Sequence, residues 1–313
     1  MSLPRVAADG PLAPLIEQLL AGQVEWLPWQ AAVAGNDLPV DALYTYGHPQ
    51  VDGALLDRLP GVKVISNYGV GVDHIRLADA AARGIPVGNT PGILDGATAD
   101  MAFTLLLATA RRLVTGDRYA RSPQFTTYDP GYMLGREVHS QTIGIVGLGR
   151  IGRQIAQRAR GFDMRVLYHN RRRDEAAEQR FAARHVSLDE LLAASDFVVL
   201  SVPLTAETRG LIGAAQLRRM QPTAILINVA RGPVVDTDAL TVALRERWIY
   251  AAGLDVTDPE PLPRDHPLLL SEHLTIAPHL GSATEETRRK MAEISVANLL
   301  AGLAGQPLLH EVR

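Results

Sequence analysis

A chain of 313 residues is longer than one hydrophobic core ordinarily serves, so two domains are expected, and 47% hydrophobic residues can fill two cores. A net charge of −3 gives no sign of a nucleic-acid or membrane surface and leaves small anionic substrates open as partners. The absence of cysteine rules out disulfides and thiolate chemistry and is compatible with a reducing compartment; no metal site is expected.

The opening stretch MSLPRVAADGPLAP lacks an apolar signal core, and no apolar run approaches the roughly 18 residues of a membrane span, so a soluble, cytoplasmic protein is expected. Residues 1 to 94 alternate short apolar runs with helical stretches: Arg5 to Ala8, Leu12 to Leu20, Ala42 to Thr45, Val51 to Leu59 and Val62 to Ser66. That rhythm predicts βα repeats on a parallel sheet. Leu12, Leu15, Ile16, Leu19 and Leu20 fall at helical spacing and are read as core packing. The glycine-rich loop Asn67 to Asp73 follows a strand, where open α/β sheets place ligands. It is either an anion cradle, with Val70 and Gly71 offering backbone N–H groups to a small carboxylate, or a plain βα turn. After the break at Asn89 to Gly92, Asp95 to Arg112 reads as one long helix, apolar on more than one face and therefore buried against another domain or a partner chain. Ser122 to Glu137, with Phe125, Tyr128 and Tyr132, reads as an extended excursion.

The stretch from Gln141 to Arg173 reads as strand, glycine turn, helix, strand and basic turn. Ile143, Ile145 and Val146 suit a strand buried on both faces. Gly147 permits the tight turn, Gly149 lets backbone approach a pyrophosphate, and Gly152 lets the next helix pack close, which together predict a dinucleotide site. About 20 residues beyond the first glycine, a site for the unphosphorylated cofactor places an acid for the ribose 2′-hydroxyl. This chain has His169-Asn170-Arg171-Arg172-Arg173 there, and guanidinium groups favour a 2′-phosphate, hence NADP(H). Arg171 and Arg172 are the chosen phosphate ligands and Arg173 is assigned to solvent; the plainer alternative is a solvated basic turn.

Beyond the basic turn, Ser187 and Glu190 form a capping box. Strands are predicted over Phe197 to Val202, Ala224 to Val229 and Ala251 to Val256, with Thr275-Ile276 leading into Ala277-Pro278-His279. Three strand ends thus lead to Arg231, Glu260 and His279, which converge if the strands are parallel neighbours. An arginine can hold a carboxylate and polarise a ketone, a histidine can exchange a proton near neutral pH, and a glutamate can fix the imidazole. Taken singly, each is as well explained by a surface ion pair or a structural histidine.

GLGRIG at Gly147 to Gly152, NVARGPVVD at Asn228 to Asp236, AGLDVTDPEPLP at Ala252 to Pro263 and APHLGSAT at Ala277 to Thr284 resemble, in order, the signature blocks of the D-isomer-specific 2-hydroxyacid dehydrogenases, closest to glyoxylate/hydroxypyruvate reductases. The resemblance implies two doubly wound parallel-sheet domains, with a Rossmann-type nucleotide domain (95–284) inserted into a flavodoxin-like substrate domain built from residues 1–94 and 285–313. It implies catalytic Arg231, Glu260 and His279, with Val70, Gly71, Arg231 and His279 on substrate. Cofactor contacts are implied for Thr98, Gly147, Gly149, Arg150, Ile151, Gly152, Asn170, Arg171, Arg172, Val202, Pro203, Thr208, Val229, Ala230, Asp255 and Gly281. It also implies a homodimer formed through the nucleotide domains. Formate dehydrogenases of the superfamily carry glutamine where this chain has Glu260, which favours reduction of a ketoacid. The expectation is NADPH-dependent reduction of glyoxylate and hydroxypyruvate; the alternatives are a reductase of bulkier 2-ketoacids such as 2-ketogluconate, or a nucleotide-sensing, corepressor-like binding protein.

Overall fold

The computed structural model describes residues 2–34, 39–47 and 49–312. The chain divides into two compact units, Met1–Leu94 with Thr284–Arg313, and Asp95–Ala283. The first stretch contains β1 (Arg5–Ala8), α1 (Pro14–Leu20), β2 (Glu25–Pro28), α2 (Trp29–Val33), β3 (Ala42–Thr45), α3 (Gly53–Asp57), β4 (Val64–Asn67), α4 (Leu77–Ala81) and β5 (Val87–Gly88). The second unit runs through α5 (Asp95–Ala110), α6 (Leu113–Ala120), β6 (Thr142–Val146), α7 (Arg150–Arg160), β7 (Arg165–His169), α8 (Glu175–Phe181), β8 (Ala183–His185), α9 (Leu188–Ala194) and β9 (Phe197–Leu200). It continues with α10 (Ala214–Arg219), β10 (Ile225–Asn228), α11 (Thr237–Arg245), β11 (Ala251–Leu254) and β12 (Leu274–Ile276), after which α12 (Glu285–Leu303) returns to the first unit.

Among the described residues the strands form two parallel sheets, ordered β2-β1-β3-β4-β5 and β12-β11-β10-β9-β6-β7-β8, so the expected pair of doubly wound α/β folds is present. In the larger sheet the period-2 alternation of the strands separates two cores. Ile143, Ile145, Phe197, Val199, Ile225 and Ile227 face α5 and α7, while Val198, Leu200 and Leu226 face α9, α10 and α11. The strands are therefore apolar on both faces, as a helix-covered parallel sheet requires.

In the smaller sheet Leu43 and Ile65 pack with Leu55, Leu56 and Ala80 from α3 and α4. The opposite face is covered by α12, and a buried polar clasp fixes it there. Ser295 Oγ donates to Met291 O at 2.7 Å, so the 2.7 Å contact between Tyr44 Oη and Ser295 Oγ has the tyrosine as donor. Ser66 Oγ donates to Ser295 O at 2.7 Å.

Several local expectations need correction. The helix expected over Asp95 to Arg112 stops at Ala110, whose carbonyl accepts from Arg136 N at 2.8 Å; Arg112 turns left-handed (φ 51°) and a separate helix, α6, begins. In α1, Ile16 and Leu20 are buried, but Leu15 and Leu19 remain partly exposed, as does Leu12, which precedes the helix. Ser187 Oγ does accept from Glu190 N at 3.1 Å, yet the Glu190 carboxylate pairs with Arg184 at 2.9 Å instead of closing the box.

The clasp makes a prediction. Tyr44→Phe removes one buried neutral hydrogen bond while Ser295 keeps its bond to Met291, and should cost about 0.5–1.5 kcal/mol. Urea unfolding followed by tryptophan emission checks it; an unchanged midpoint would show that the hydroxyl pair contributes nothing.

Candidate active site

The strand order of the larger sheet reverses between β6 and β9, at the crevice where such sheets take ligands, and the glycine turn lies at the carboxyl end of β6. Gly147 has φ +99°, and its carbonyl accepts from Ser201 Oγ at 2.8 Å, joining the turns after β6 and β9. A Cβ at Gly152 would collide with the Gly147 carbonyl, whereas one at Gly149 would project into open space. A pyrophosphate fits that arrangement: backbone approaches closely at Gly149, and the amino end of α7, where Arg150 and Ile151 lie, supplies unpaired N–H groups and a favourable dipole.

The turn after β7 is built by side chains that hold backbone. Asn170 Oδ1 accepts from Leu148 N at 2.7 Å, and the ring of His185 bonds Asn170 O through Nε2 at 3.1 Å. Arg173, which sequence reasoning left to solvent, is exposed and is also bound bidentately to Glu178 at 2.8 and 2.7 Å, and Asp174 pairs with Arg153. The hydrogen bonds from Arg173 and then Tyr168 hold the Glu178 carboxyl down to about 2. Arg171 and Arg172 are exposed at the tip. Across the switch point, Val202 and Pro203 lead into a turn where Thr208 Oγ1 donates to Pro203 O at 2.7 Å. There Glu207 is held below the usual carboxylate range by the Thr205 hydroxyl, its own amide and the field of Arg171.

β10, β11 and β12 are parallel neighbours, so the segments carrying Arg231, Glu260 and His279 leave from one edge. Beyond Val229 and Ala230, Asn228, buried at 1% exposure, folds the first of these segments. Its Nδ2 donates to Arg231 O at 3.0 Å and its Oδ1 accepts from Ala230 N at 3.0 Å. Gly232 then passes so close to the Thr257 carbonyl that any side chain would collide with it, which draws the arginine segment against the glutamate segment. Asn228 and Ser201 were not singled out from sequence; a polar residue capping the end of an apolar strand is the signal that marks both.

His279 Nδ1 and Glu260 Oε1 are 2.6 Å apart, a charge-assisted bond that leaves Nε2 as the ring's second polar atom. Burial pushes the Glu260 carboxyl up, but the His279 hydrogen bond and charge, the Thr257 amide and the Arg231 charge together bring it below the ordinary carboxylate range. His279 adopts φ 57°, a left-handed conformation that costs an ordinary residue about 1–2 kcal/mol. The buried Asp255 sustains it. Asp255 O accepts from His279 N at 2.9 Å, while the two carboxylate oxygens accept from Leu280 N at 2.7 Å and Gly281 N at 2.8 Å. Burial outweighs those bonds and raises the Asp255 carboxyl above its ordinary value. Thr98, from α5, lies beside Gly281. Val70 and Gly71 belong to the first unit, in the loop after β4. Arginine, carboxylate-bound imidazole and an anion-accepting glycine turn can together carry out proton transfer next to a bound dinucleotide.

The chain is also similar to known proteins. The family described as D-isomer specific 2-hydroxyacid dehydrogenase, NAD binding domain, matches residues 103–281. The glyoxylate reductase of Thermococcus gammatolerans is 48% identical over 271 residues, covering 85% of this chain and 81% of that protein. A Thermus thermophilus protein of known structure superposes with a TM-score of 0.90 at 42% identity, over 99% of this chain and 100% of that one. The NADPH-dependent glyoxylate/hydroxypyruvate reductase of Sinorhizobium meliloti, in complex with NADP and malonate, superposes with a TM-score of 0.89 at 32% identity, over 99% and 97%.

Because its folded-state value is depressed, the Glu260 carboxylate stabilises the protein above its unfolded value of about 4.3, and that contribution disappears as pH falls through the folded value. In His279→Ala the bond and the charge are lost while burial remains, so the Glu260 carboxyl should titrate higher. Carbon-13 NMR of the glutamate side chains measures this directly, and an unmoved titration would mean that the imidazole is not what lowers it.

Proposed function

The chain belongs to the D-isomer specific 2-hydroxyacid dehydrogenases, and from that premise we propose that it reduces small 2-ketoacids, glyoxylate and hydroxypyruvate foremost, with NADPH. The observation that carries the reading is the 2.6 Å bond from the His279 ring to Glu260, formed in the field of Arg231 at the carboxyl edge of three parallel strands. With Nδ1 committed to the carboxylate, Nε2 is the atom that delivers a proton to the ketone oxygen during reduction and accepts it during oxidation. Glu260 fixes the plane of the ring through that bond. Arg231 binds the substrate carboxylate and polarises the ketone beside it, and the amides of Val70 and Gly71 are proposed as donors to a substrate carboxylate. The dinucleotide, when bound, supplies the hydride that C2 receives.

The glycine turn, Thr98, Val202, Pro203, Thr208, Val229, Ala230, Asp255 and Gly281 form the proposed cofactor contacts. The preference for NADPH is supported by two exposed arginines, Arg171 and Arg172, and by the use of Asn170 to brace the glycine turn at the place where a ribose-binding acid would stand. The similar enzyme from Sinorhizobium meliloti is NADPH-dependent. The reading includes a homodimer, supported by the apolar side chains that α6 and the segment after it expose, among them Leu113, Phe125, Tyr128 and Leu134. Among the described residues no helix is long and apolar enough to cross a membrane.

Initial rates of NADPH and, separately, NADH oxidation with glyoxylate, hydroxypyruvate, pyruvate and 2-ketogluconate test the reading as a whole. The two small substrates with NADPH should be fastest; equal rates with NADH would return Arg171 and Arg172 to solvent, and no turnover with any ketoacid would refute the enzyme. Arg231→Ala should lower kcat/KM for glyoxylate by about 10²-fold or more while NADPH still binds, as followed by fluorescence titration. Full activity in that variant would remove Arg231 from the reaction.

A further inference from the structure

The loop after β4 is tied down through its carbonyl groups. Asn67, 2% exposed, donates from Nδ2 to Gly69 O at 3.0 Å and to Gly71 O at 2.9 Å. Asn89 donates from Nδ2 to Val70 O at 2.9 Å. Three successive carbonyls are thus drawn towards side-chain amides. In a planar trans peptide the C=O of one residue and the N–H of the next point in opposite directions. The Val70 N–H therefore points away from the Asn67 amide, and the Gly71 N–H away from the Asn89 amide. Successive N–H groups presented together form an anion-binding concavity.

The orientation of Asn67 is itself determined. Carbonyl oxygens only accept, so the NH2 end must face Gly69 and Gly71, leaving Oδ1 for Thr45 Oγ1, which donates to it at 2.9 Å. With its proton committed, Thr45 Oγ1 accepts at 3.2 Å from Nε2–H of His74, a buried ring at 5% exposure. Asn89 is anchored too: its carbonyl accepts from Asn298 Nδ2 at 3.0 Å, and the Asn298 Oδ1 accepts from His310 N at 3.0 Å.

We infer that Asn67, oriented by Thr45 and His74 and assisted by Asn89, is the positioning residue that aims the Val70 and Gly71 amides at the substrate carboxylate. The inference rests on the reading that those two amides hold that group. No other side chain of this length offers one acceptor towards Thr45 and two donors towards two carbonyls: aspartate would set negative oxygen against them, and alanine would release Gly71 O and leave Gly69 O to the Thr90 amide alone, at 3.1 Å. The binding geometry is thereby set before substrate arrives, and the cost of ordering the loop is met in folding.

The test compares glyoxylate with glycolaldehyde, an uncharged aldehyde without the carboxylate, as substrates for the intact enzyme, Asn67→Ala and Asn89→Ala. In Asn67→Ala the KM for glyoxylate should rise about 10- to 100-fold, the value of one hydrogen bond to a charged group. The preference for glyoxylate over glycolaldehyde in kcat/KM should fall by the same factor, while kcat and NADPH affinity hold. A merely structural role would lower the active fraction, and with it both substrates equally, leaving KM and the preference unmoved. Asn89→Ala releases only Val70 O and should shift the same two quantities in the same direction by less, so a poorly folded Asn67→Ala does not decide the matter. Unchanged KM and preference in a folded variant overturn the role of Asn67 alone. An intact enzyme that shows no preference for the carboxylate, or no turnover of glyoxylate, overturns the underlying reading and this inference with it.

Discussion

β6 is hydrogen-bonded to β7 on one side and to β9 on the other, so the chain leaves this strand in one direction and later returns to its opposite flank. The placement of the candidate site in the second unit depends on that reversal. Two connections diverging from one strand leave a gap at its carboxyl end, and the glycine turn and the turn after β9 line it from the two sides. The same winding sets β10, β11 and β12 side by side in parallel register, which is why residues far apart in sequence reach one edge. Once the register is set by strands buried on both faces, a shift of one residue would send whole apolar sets into the wrong core.

The geometry at that edge is maintained by polar groups that face backbone. Asp255 spends both carboxylate oxygens on the amides that follow His279, Asn228 closes the turn at Arg231, and Asn170 braces the glycine turn. The burial that raises the Asp255 carboxyl is one cost of holding His279 at positive φ. In the first unit Asn67, at the end of β4, and Asn89, after β5, act in the same manner on carbonyl groups. Short side chains with fixed donors and acceptors suit this work because they lose little rotamer freedom when ordered.

How far all this could be read beforehand depends on how local its cause is. The strand Ala42 to Thr45 and the motif from β6 through β7 stand out because apolar β-branched runs and glycine spacing are local signals. β2 does not stand out: Glu25–Pro28 is an edge strand with its outer residues exposed and a proline at its end, so it has no continuous apolar run. β5 has only two residues. The order of strands lies in long-range pairing and is absent from any short window. At the candidate site, Arg231, Glu260 and His279 stand at recognisable strand ends, but the 2.6 Å contact between two of them depends on how their segments meet in space. The fate of Arg173 turned on Glu178, five residues on and across a helix start, a pairing that no run of three arginines announces.

The clasp joining Tyr44 to Ser295 spans 251 residues, and its consequence is one of timing. At a synthesis rate of roughly 5–20 residues per second, about 10–50 seconds separate the emergence of β3 from that of the helix that covers it. Through that interval the sheet face that α12 will share with α1 lacks its longer helix, while the whole of the second unit, from α5 to β12, is made in the meantime. The unit begun first is the one completed last, and its uncovered strands are the part of the nascent polypeptide most in need of protection from its neighbours in the cell.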